Sequence, residues 1–204
     1  DVLEQDGQQF VRVVDYKSGA KAFRLADIVN GLNLQMFLYL FNVGADGSNP
    51  YAGVPAGVLY MHAARSVMTV ETKSSAEKDI AGQEDKAFGM NGIVITNPDC
   101  DIPAAMEHDL AGKYIPVRLK KSGVGGSLAS LEQLGLLQRK IEALVADMGN
   151  ALQNGQIGQR PVQAKDHDKT CEYCDFASVC AFKKSVTPRT YDDQTDSAVL
   201  AELE

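Results

Sequence analysis

Residues 10–19 read FVRVVDYKSG, and this stretch decides how the rest of the chain is interpreted. Its β-branched and aromatic residues predict a buried strand, which residues 18–19 (Ser-Gly) bring to an end. A short apolar segment at residues 2–3 and a turn signal at residues 6–7 (Asp-Gly) precede it. The sequence therefore predicts a β-hairpin whose second strand is the longer one.

The end of this strand carries an acid and a lysine two residues apart. Alternation along a strand places Asp15 and Lys17 on one face, with Tyr16 on the other. A carboxylate is a hard oxygen ligand for Mg²⁺, and an ammonium can orient an attacking water and offset charge on a phosphate. A solvated ion pair at the end of a strand uses the same residues. The tripeptide alone leaves both interpretations open.

Composition restricts the class of protein. The chain has 204 residues, 45% of them hydrophobic and 23% charged, which is typical of one compact domain with a possible appendage. No run of eighteen apolar residues is present, so a membrane span is not expected. The net charge of −7 does not favour electrostatic attraction of the whole chain to nucleic acid, although a local basic groove is compatible with it. Because the first residues, DVLEQDG, contain neither an initiator Met nor a signal peptide, we expect a fragment of a longer chain.

Apolar residues recur every three or four positions between Ala26 and Val43, which predicts one largely buried helix. Gln35 and Tyr39 lie one turn apart on a single face of this helix. Polar side-chain groups that are buried in an apolar helix need hydrogen-bond partners. A pair of core residues satisfied by the backbone is the alternative to a functional pair.

The remaining elements follow from similar patterns. Strands are predicted at residues 56–62, 65–70 and 92–96, a polar surface excursion at 73–85, a mobile and slightly basic loop at 120–126, and a long helix capped by Ser127 and ended by Asn154-Gly155. The acidic segment after Pro188 is predicted to be frayed. His62 and His108 are predicted to be structural histidines rather than ligands.

Together these segments resemble one family. The run VDYKSG at 14–19 followed by GLNLQMFLYL at 31–40 is similar to the RecB-type nuclease domains of the PD-(D/E)xK superfamily, and most similar to those of AddB-type subunits of bacterial ATP-dependent helicase–nucleases. The segments GVLYMH at 57–62, FGMNGIV at 88–94 and CEYCDFASVC at 171–180 resemble later motifs of the same family, in the same order.

The resemblance implies a fold, an activity and a set of site residues. The fold would be α/β, a restriction-endonuclease-like mixed sheet flanked by helices, with a C-terminal cysteine-cluster appendage. The activity would be Mg²⁺- or Mn²⁺-dependent hydrolysis of a DNA strand released by unwinding, in double-strand break repair, with an AddA-type subunit as partner and no membrane. Metal binding falls to Asp15 and Tyr16, Lys17 becomes the catalytic lysine, and Gln35 and Tyr39 become the pair that shapes the site and contacts DNA.

One departure from the family pattern concerns the metal site. These nucleases carry a further metal-binding Asp in a G-x-I-D-R-x-D segment, of which Asp1 fits the last Asp. The ligand itself would lie three residues before Asp1. We therefore expect the isolated chain to cleave DNA weakly or not at all.

Three cysteines, Cys171, Cys174 and Cys180, have the spacing C-x₂-C-x₅-C, which indicates a metal site and a reducing, cytoplasmic compartment rather than a disulfide framework. From the residues alone, a Cys₃His zinc site completed by His167 and an iron–sulfur cluster are both open. The family resemblance favours a [4Fe–4S] cluster in the full-length protein, whose fourth cysteine would lie upstream. Cys100 is predicted to be an ordinary loop thiol.

The predicted organisation is a nuclease core at residues 1–160, an iron–sulfur segment at 161–184 and an acidic tail at 185–204. Two alternatives to a catalytic domain stay open. One is a non-catalytic DNA-binding or scaffold module with the same fold, and the other is a Cys₃His zinc-binding interaction domain.

Overall fold

The computed structural model describes residues 1–19, 21–45, 48–63, 88–165, 171, 174–180 and 188–204. They form two compact units, Asp1–Phe23 with Gln35–Leu134, and Arg24–Leu34 with Gly135–Glu204. The predicted strand at 65–70 and the excursion at 73–85 lie outside the described residues. Within the described part of the chain, no helix combines the length and the apolar character needed to cross a membrane.

The first unit is built on a five-stranded mixed sheet. Its strands are β1 (Val2–Gln5), β2 (Gln8–Lys17), β3 (Val54–His62), β4 (Asn91–Thr96) and β7 (Leu128–Ser130), and they lie side by side in that order. The β1–β2 and β3–β4 pairs are antiparallel, whereas β2–β3 and β4–β7 are parallel. Helices α2 (Gln35–Ala45) and α3 (Ile102–Met106) pack on this sheet, so the prediction of a mixed sheet flanked by helices is confirmed.

The predicted N-terminal hairpin is present. Gln5 pairs with Gln8, and the two residues between them, Asp6 and Gly7, have φ angles of 52° and 78°. A two-residue hairpin turn of this type requires two successive residues in the left-handed conformation. Asp and Gly adopt that conformation with little steric strain. A core cluster that includes Phe10, Leu59 and Val94 then buries one face of the sheet.

The prediction of a single helix from Ala26 to Val43 is wrong. The chain forms α1 (Leu25–Val29) and then α2, separated by a turn in which Gly31 has φ 89° and Asn33 has φ 55°. The amides of residues 30–32 close this turn onto carbonyls of α1. Glycine and asparagine adopt the left-handed conformation most readily, so this pair ends α1 despite the continuous apolar pattern.

The prediction of a mobile loop in the glycine-rich segment at 120–126 is also wrong. Strands β5 (Val117–Lys120) and β6 (Gly123–Gly126) form an antiparallel hairpin, with Lys120 opposite Gly123. A side chain at Gly126 would collide with the carbonyl of Pro116, so the lack of a Cβ is what permits this close approach.

The long helix starts later than predicted. It is α4 (Leu131–Gln153), and its cap is Ser130: the hydroxyl of Ser130 accepts from the amide of Gln133, while the Gln133 side chain accepts from the amide of Ser130. This reciprocal pair is a capping box. Ser127 lies before β7 instead, and its buried hydroxyl has no partner among the described residues. The predicted end at Asn154-Gly155 is confirmed, with Gly155 at φ 67°.

The acidic segment after Pro188 is ordered rather than frayed. It contains β9 (Arg189–Tyr191), which pairs with β8 (Val162–Ala164), and α6 (Asp196–Leu203), which buries Val199 and Leu200. Within the second unit this segment contacts α1 through Asp27, a 5% exposed carboxylate that accepts from the Tyr191 hydroxyl at 2.6 Å and from Arg24. Burial, followed by the hydrogen bond to Asp27, raises the pKa of Tyr191, so the phenol stays protonated and donates.

Glu107 organises the loop that follows α3. Its carboxylate is buried and accepts hydrogen bonds from the amides of Lys113, Tyr114 and Ile115 at 2.9–3.0 Å. Burial opposes the charged form, but these amides, with that of Gly112, outweigh it and lower the pKa of Glu107.

We expect Glu107→Gln to lower the free energy of unfolding by about 2–4 kcal/mol, because hydrogen bonds to a buried charge are lost. Since the folded-state pKa is lowered, the contribution is complete at neutral pH. It begins to fall near the ordinary value of 4.5 and disappears as pH drops through the lowered pKa. Urea unfolding at several pH values measures both effects. The exposed control Glu4→Gln should stay within about 0.5 kcal/mol.

Candidate active site

The end of β2 brings an acid and a lysine together. The Lys17 Nζ lies 2.6 Å from Asp15 Oδ2, and the two side chains are 35% and 29% exposed. Both are in the first unit, on one face of the strand. The side chain of Tyr16 projects to the other face and is 66% exposed. The carbonyl of Lys17 accepts from the amide of Ala63, so the carbonyl of Tyr16, one residue earlier, is directed to the opposite edge of β2.

Helix α2 contributes the glutamine and the tyrosine. Gln35 is its first residue, and the Gln35 side-chain amide donates to the Tyr39 hydroxyl at 2.7 Å. The one-turn spacing thus produces the predicted contact, although the pair is exposed rather than buried: the Tyr39 side chain is 52% accessible. Because Gln35 donates, the hydroxyl hydrogen of Tyr39 remains available to a further acceptor.

The electrostatics connect these residues. The pKa of Lys17 is raised, first by its hydrogen bond to Asp15, which outweighs a partial desolvation, and further by Coulombic interactions with Asp15, Tyr60 and Tyr39. Lys17 is therefore an ammonium at neutral pH. It can donate hydrogen bonds and stabilise negative charge.

Strand β3 adds two residues to the same face. In the parallel β2–β3 pair, Asp15 is opposite Tyr60 and Lys17 is opposite His62. Tyr60 is buried, and the Lys17 ammonium lies 5.8 Å from the centroid of its ring. Sequence reasoning did not place Tyr60 in the site, because this neighbourhood depends on the register of two strands that are far apart in the chain. The structural role of His62 stays a prediction.

The donor set at β2 suits a hard cation bound with few protein ligands. Among the residues that the structure describes, no three His, Cys, Asp or Glu side chains are grouped to hold a metal ion. At the end of β2, Asp15 offers a carboxylate, with main-chain carbonyls beside it. Mg²⁺ is commonly held by one or two carboxylates plus waters and substrate phosphates, so the chemistry of this set fits it better than it fits zinc.

The predicted iron–sulfur ligands lie in the second unit. The amide of Cys174 donates to the carbonyl of Cys171, and Cys180 ends the short helix α5 (Ala177–Cys180). None of the four cysteines is in a disulfide. The three cysteines that are close in sequence do not form a group that could hold a metal ion in the described part of the chain. His167 lies outside it. Cys100 belongs to the core of the first unit, where it donates to Gln5 at 3.1 Å and burial raises its pKa.

A family model described as the PD-(D/E)XK nuclease superfamily matches residues 1–181. The chain belongs to the PD-(D/E)XK nuclease superfamily. This confirms the nuclease family predicted from the sequence. The segment after Pro188, with β9 and α6, lies beyond the matched residues.

Curated relatives of this nuclease chain are named as a subunit of an ATP-dependent helicase/deoxyribonuclease. A protein of Bacillus cereus is 32% identical over 216 residues, and that of Bacillus anthracis is 31% identical, each match covering the whole chain. The Clostridium botulinum protein is 28% identical over 98% of the chain. The chain spans about 18% of the length of these relatives.

We expect Asp15→Asn to lower the pKa of Lys17 towards its ordinary value, because the largest cause of the rise is the hydrogen bond to Asp15. An NMR titration of the Lys17 Cε resonance measures this change. The matched control is Asp1→Asn, which removes the carboxylate 2.9 Å from Arg12 on the same strand and should leave Lys17 unchanged. An unaltered Lys17 pKa in Asp15→Asn would show that the ion pair is not formed in solution.

Proposed function

We propose that this chain is the nuclease domain of an AddB-type helicase–nuclease subunit. It hydrolyses phosphodiester bonds in the single-stranded DNA that emerges when a DNA end is unwound. The observation that carries the proposal is the contact of 2.6 Å between Asp15 and Lys17 on one face of β2. Membership of the nuclease superfamily supports the reaction class. The name that the relatives share supports DNA as the substrate, and the word subunit in it supports a partner, which we propose to be of the AddA type.

Asp15 and the main-chain carbonyl of Tyr16 are the proposed ligands of Mg²⁺ or Mn²⁺. Such a cation, when bound, supplies a Lewis acid for the phosphate and lowers the pKa of a coordinated water. Lys17 would orient the attacking water and offset the charge that develops on the phosphate, since an ammonium donates hydrogen bonds and carries a positive charge.

The α2 pair would hold the DNA strand. Gln35 donates to the oxygen of Tyr39, which orients the phenol and directs its hydrogen away from Gln35. An exposed phenol held in this way can donate to a phosphate oxygen or stack on a base. We assign Gln35 the orienting role and Tyr39 the contact with DNA.

Lys17→Ala should lower cleavage of end-labelled single-stranded DNA at least about 100-fold, because an interaction with developing charge is lost. DNA affinity should change little, so the effect appears in kcat rather than KM. The assay uses the complete subunit with its partner subunit and Mg²⁺. Lys165→Ala is a matched control, since this lysine pairs with Asp192 in the second unit, and it should cut normally.

Two results would contradict the nuclease assignment. Cleavage that survives Lys17→Ala unchanged would place the chemistry elsewhere in the assembly. Binding of single-stranded DNA without any cleavage by the wild-type complex would instead favour the non-catalytic scaffold module.

We further propose that Cys171, Cys174 and Cys180 hold a [4Fe–4S] cluster in the complete, cytoplasmic protein. Three thiolates within ten residues suit such a cluster in a reducing compartment. Its role would be to cross-link the chain, as a disulfide does in secreted proteins.

The complete subunit should then contain about four irons per chain, and Cys174→Ser should lose them and lower the thermal midpoint. Cys100→Ser is the control, because this thiol lies in the core of the first unit. One zinc per chain without iron would contradict the cluster and support the Cys₃His alternative.

A further inference from the structure

Tyr60 lies on the same sheet face as the Asp15–Lys17 pair. Parallel strands place residues in register on one face, and Asp15 is directly opposite Tyr60 in the β2–β3 ladder. The Tyr60 side chain is only 6% exposed, whereas Tyr39 nearby is 52% exposed. The two tyrosines therefore have different environments. Tyr39 is accessible to a substrate, whereas Tyr60 is buried beneath the Asp15–Lys17 pair.

The ring of Tyr60 contacts the lysine. The Lys17 Nζ lies 5.8 Å from the ring centroid, within the range of a cation–π interaction, and Asp15 Oδ2 lies 2.6 Å from the same nitrogen. Burial raises the pKa of Tyr60, so its phenol is neutral. The ammonium is thus held by a carboxylate and by an aromatic face.

An aromatic row fixes the orientation of this ring. Tyr60 packs against Phe23 at 6.4 Å, Phe23 against Phe37 at 6.2 Å, and Phe37 against Phe41 at 5.9 Å, measured between ring centroids. Phe37 is fully buried and lies on α2 between Gln35 and Tyr39. Tilted aromatic contacts at these separations are favourable, and they restrict ring motion. The same row that positions Tyr60 therefore also joins β3 to the helix that carries the Gln35–Tyr39 pair.

We propose that Tyr60 is a positioning residue for Lys17: its ring face holds the ammonium on the substrate side of β2 during cleavage. The inference rests on the proposed function. A cation bound at Asp15 would compete with Lys17 for the same carboxylate. The ring face of Tyr60 would take no part in that competition and would keep its contact with the ammonium.

The cleavage test compares two substitutions in the complete subunit with its partner. Tyr60→Leu removes the ring and should lower kcat about tenfold with KM little changed, because the ammonium is misplaced. Tyr60→Phe keeps the ring and should cleave within about twofold of the wild type. Tyr114→Leu is the matched control, since Lys113 lies 5.1 Å from that ring elsewhere in the first unit, and it should cleave normally.

A double variant separates positioning from a general structural effect. If Tyr60 acts through Lys17, Tyr60→Leu should cause no further loss in a Lys17→Ala background, because the group that it positions is gone. Another tenfold loss in that background would overturn the proposal. A loss in Tyr60→Phe as large as that in Tyr60→Leu would overturn it as well, because the ring would then not be the group that matters.

A measurement on the 204-residue chain is independent of cleavage. The Lys17 Hε protons, assigned with Lys17→Arg, should be shifted upfield by the ring in the wild type and in Tyr60→Phe, and unshifted in Tyr60→Leu. Lys113 provides a positive reference. Random-coil Lys17 shifts in the folded wild type would overturn the contact, even if Tyr60→Leu fails to fold. If the shift is present and the complete subunit does not cleave, the positioning contact holds and the nuclease assignment fails.

Discussion

The parallel register between β2 and β3 is the constraint on which the candidate site depends. It places Asp15 opposite Tyr60 and Lys17 opposite His62, so one face of two adjacent strand ends holds a carboxylate, an ammonium and a buried aromatic ring. A register shift of one residue would turn all of β3 to its other face and put Leu59 or Met61 beside the pair. The ladder runs over eight paired residues, which specifies this register strongly.

The charged pair at the end of β2 must be accessible to a substrate and at the same time held in place. Asp15 and Lys17 are about one-third exposed, enough to reach a substrate, yet the ring of Tyr60 beside them is buried. The aromatic row from Tyr60 to Phe41 extends this rigidity to α2, on which the Gln35–Tyr39 pair is mounted. A site whose groups are held by strands and a helix is positioned more precisely than one built on loops. The fold therefore fixes the groups before any substrate arrives.

Sequence alone predicted those parts of the site that local periodicity controls. Strand alternation put Asp15 and Lys17 on one face, and helical spacing brought Gln35 to Tyr39. The aromatic neighbour Tyr60 was missed because strand register is a long-range property. Local errors had local causes: left-handed Gly31 and Asn33 divided a continuous apolar pattern, and the cap was Ser130 rather than Ser127 because a strand, β7, intervenes. The acidic C-terminal segment makes contacts that local patterns do not reveal: Tyr191 donates to Asp27, 164 residues away along the chain.

We propose that the end of β2 is the metal-binding and catalytic edge of this chain, and titration with Mn²⁺ tests this proposal most directly. Titration of the 204-residue chain with Mn²⁺ should first broaden the NMR signals of the amides around Asp15 and Tyr60, through paramagnetic relaxation, and Asp15→Asn should abolish this effect. Broadening that begins at the cysteine segment or at the acidic C-terminal segment, and that is unaffected by Asp15→Asn, would contradict the account.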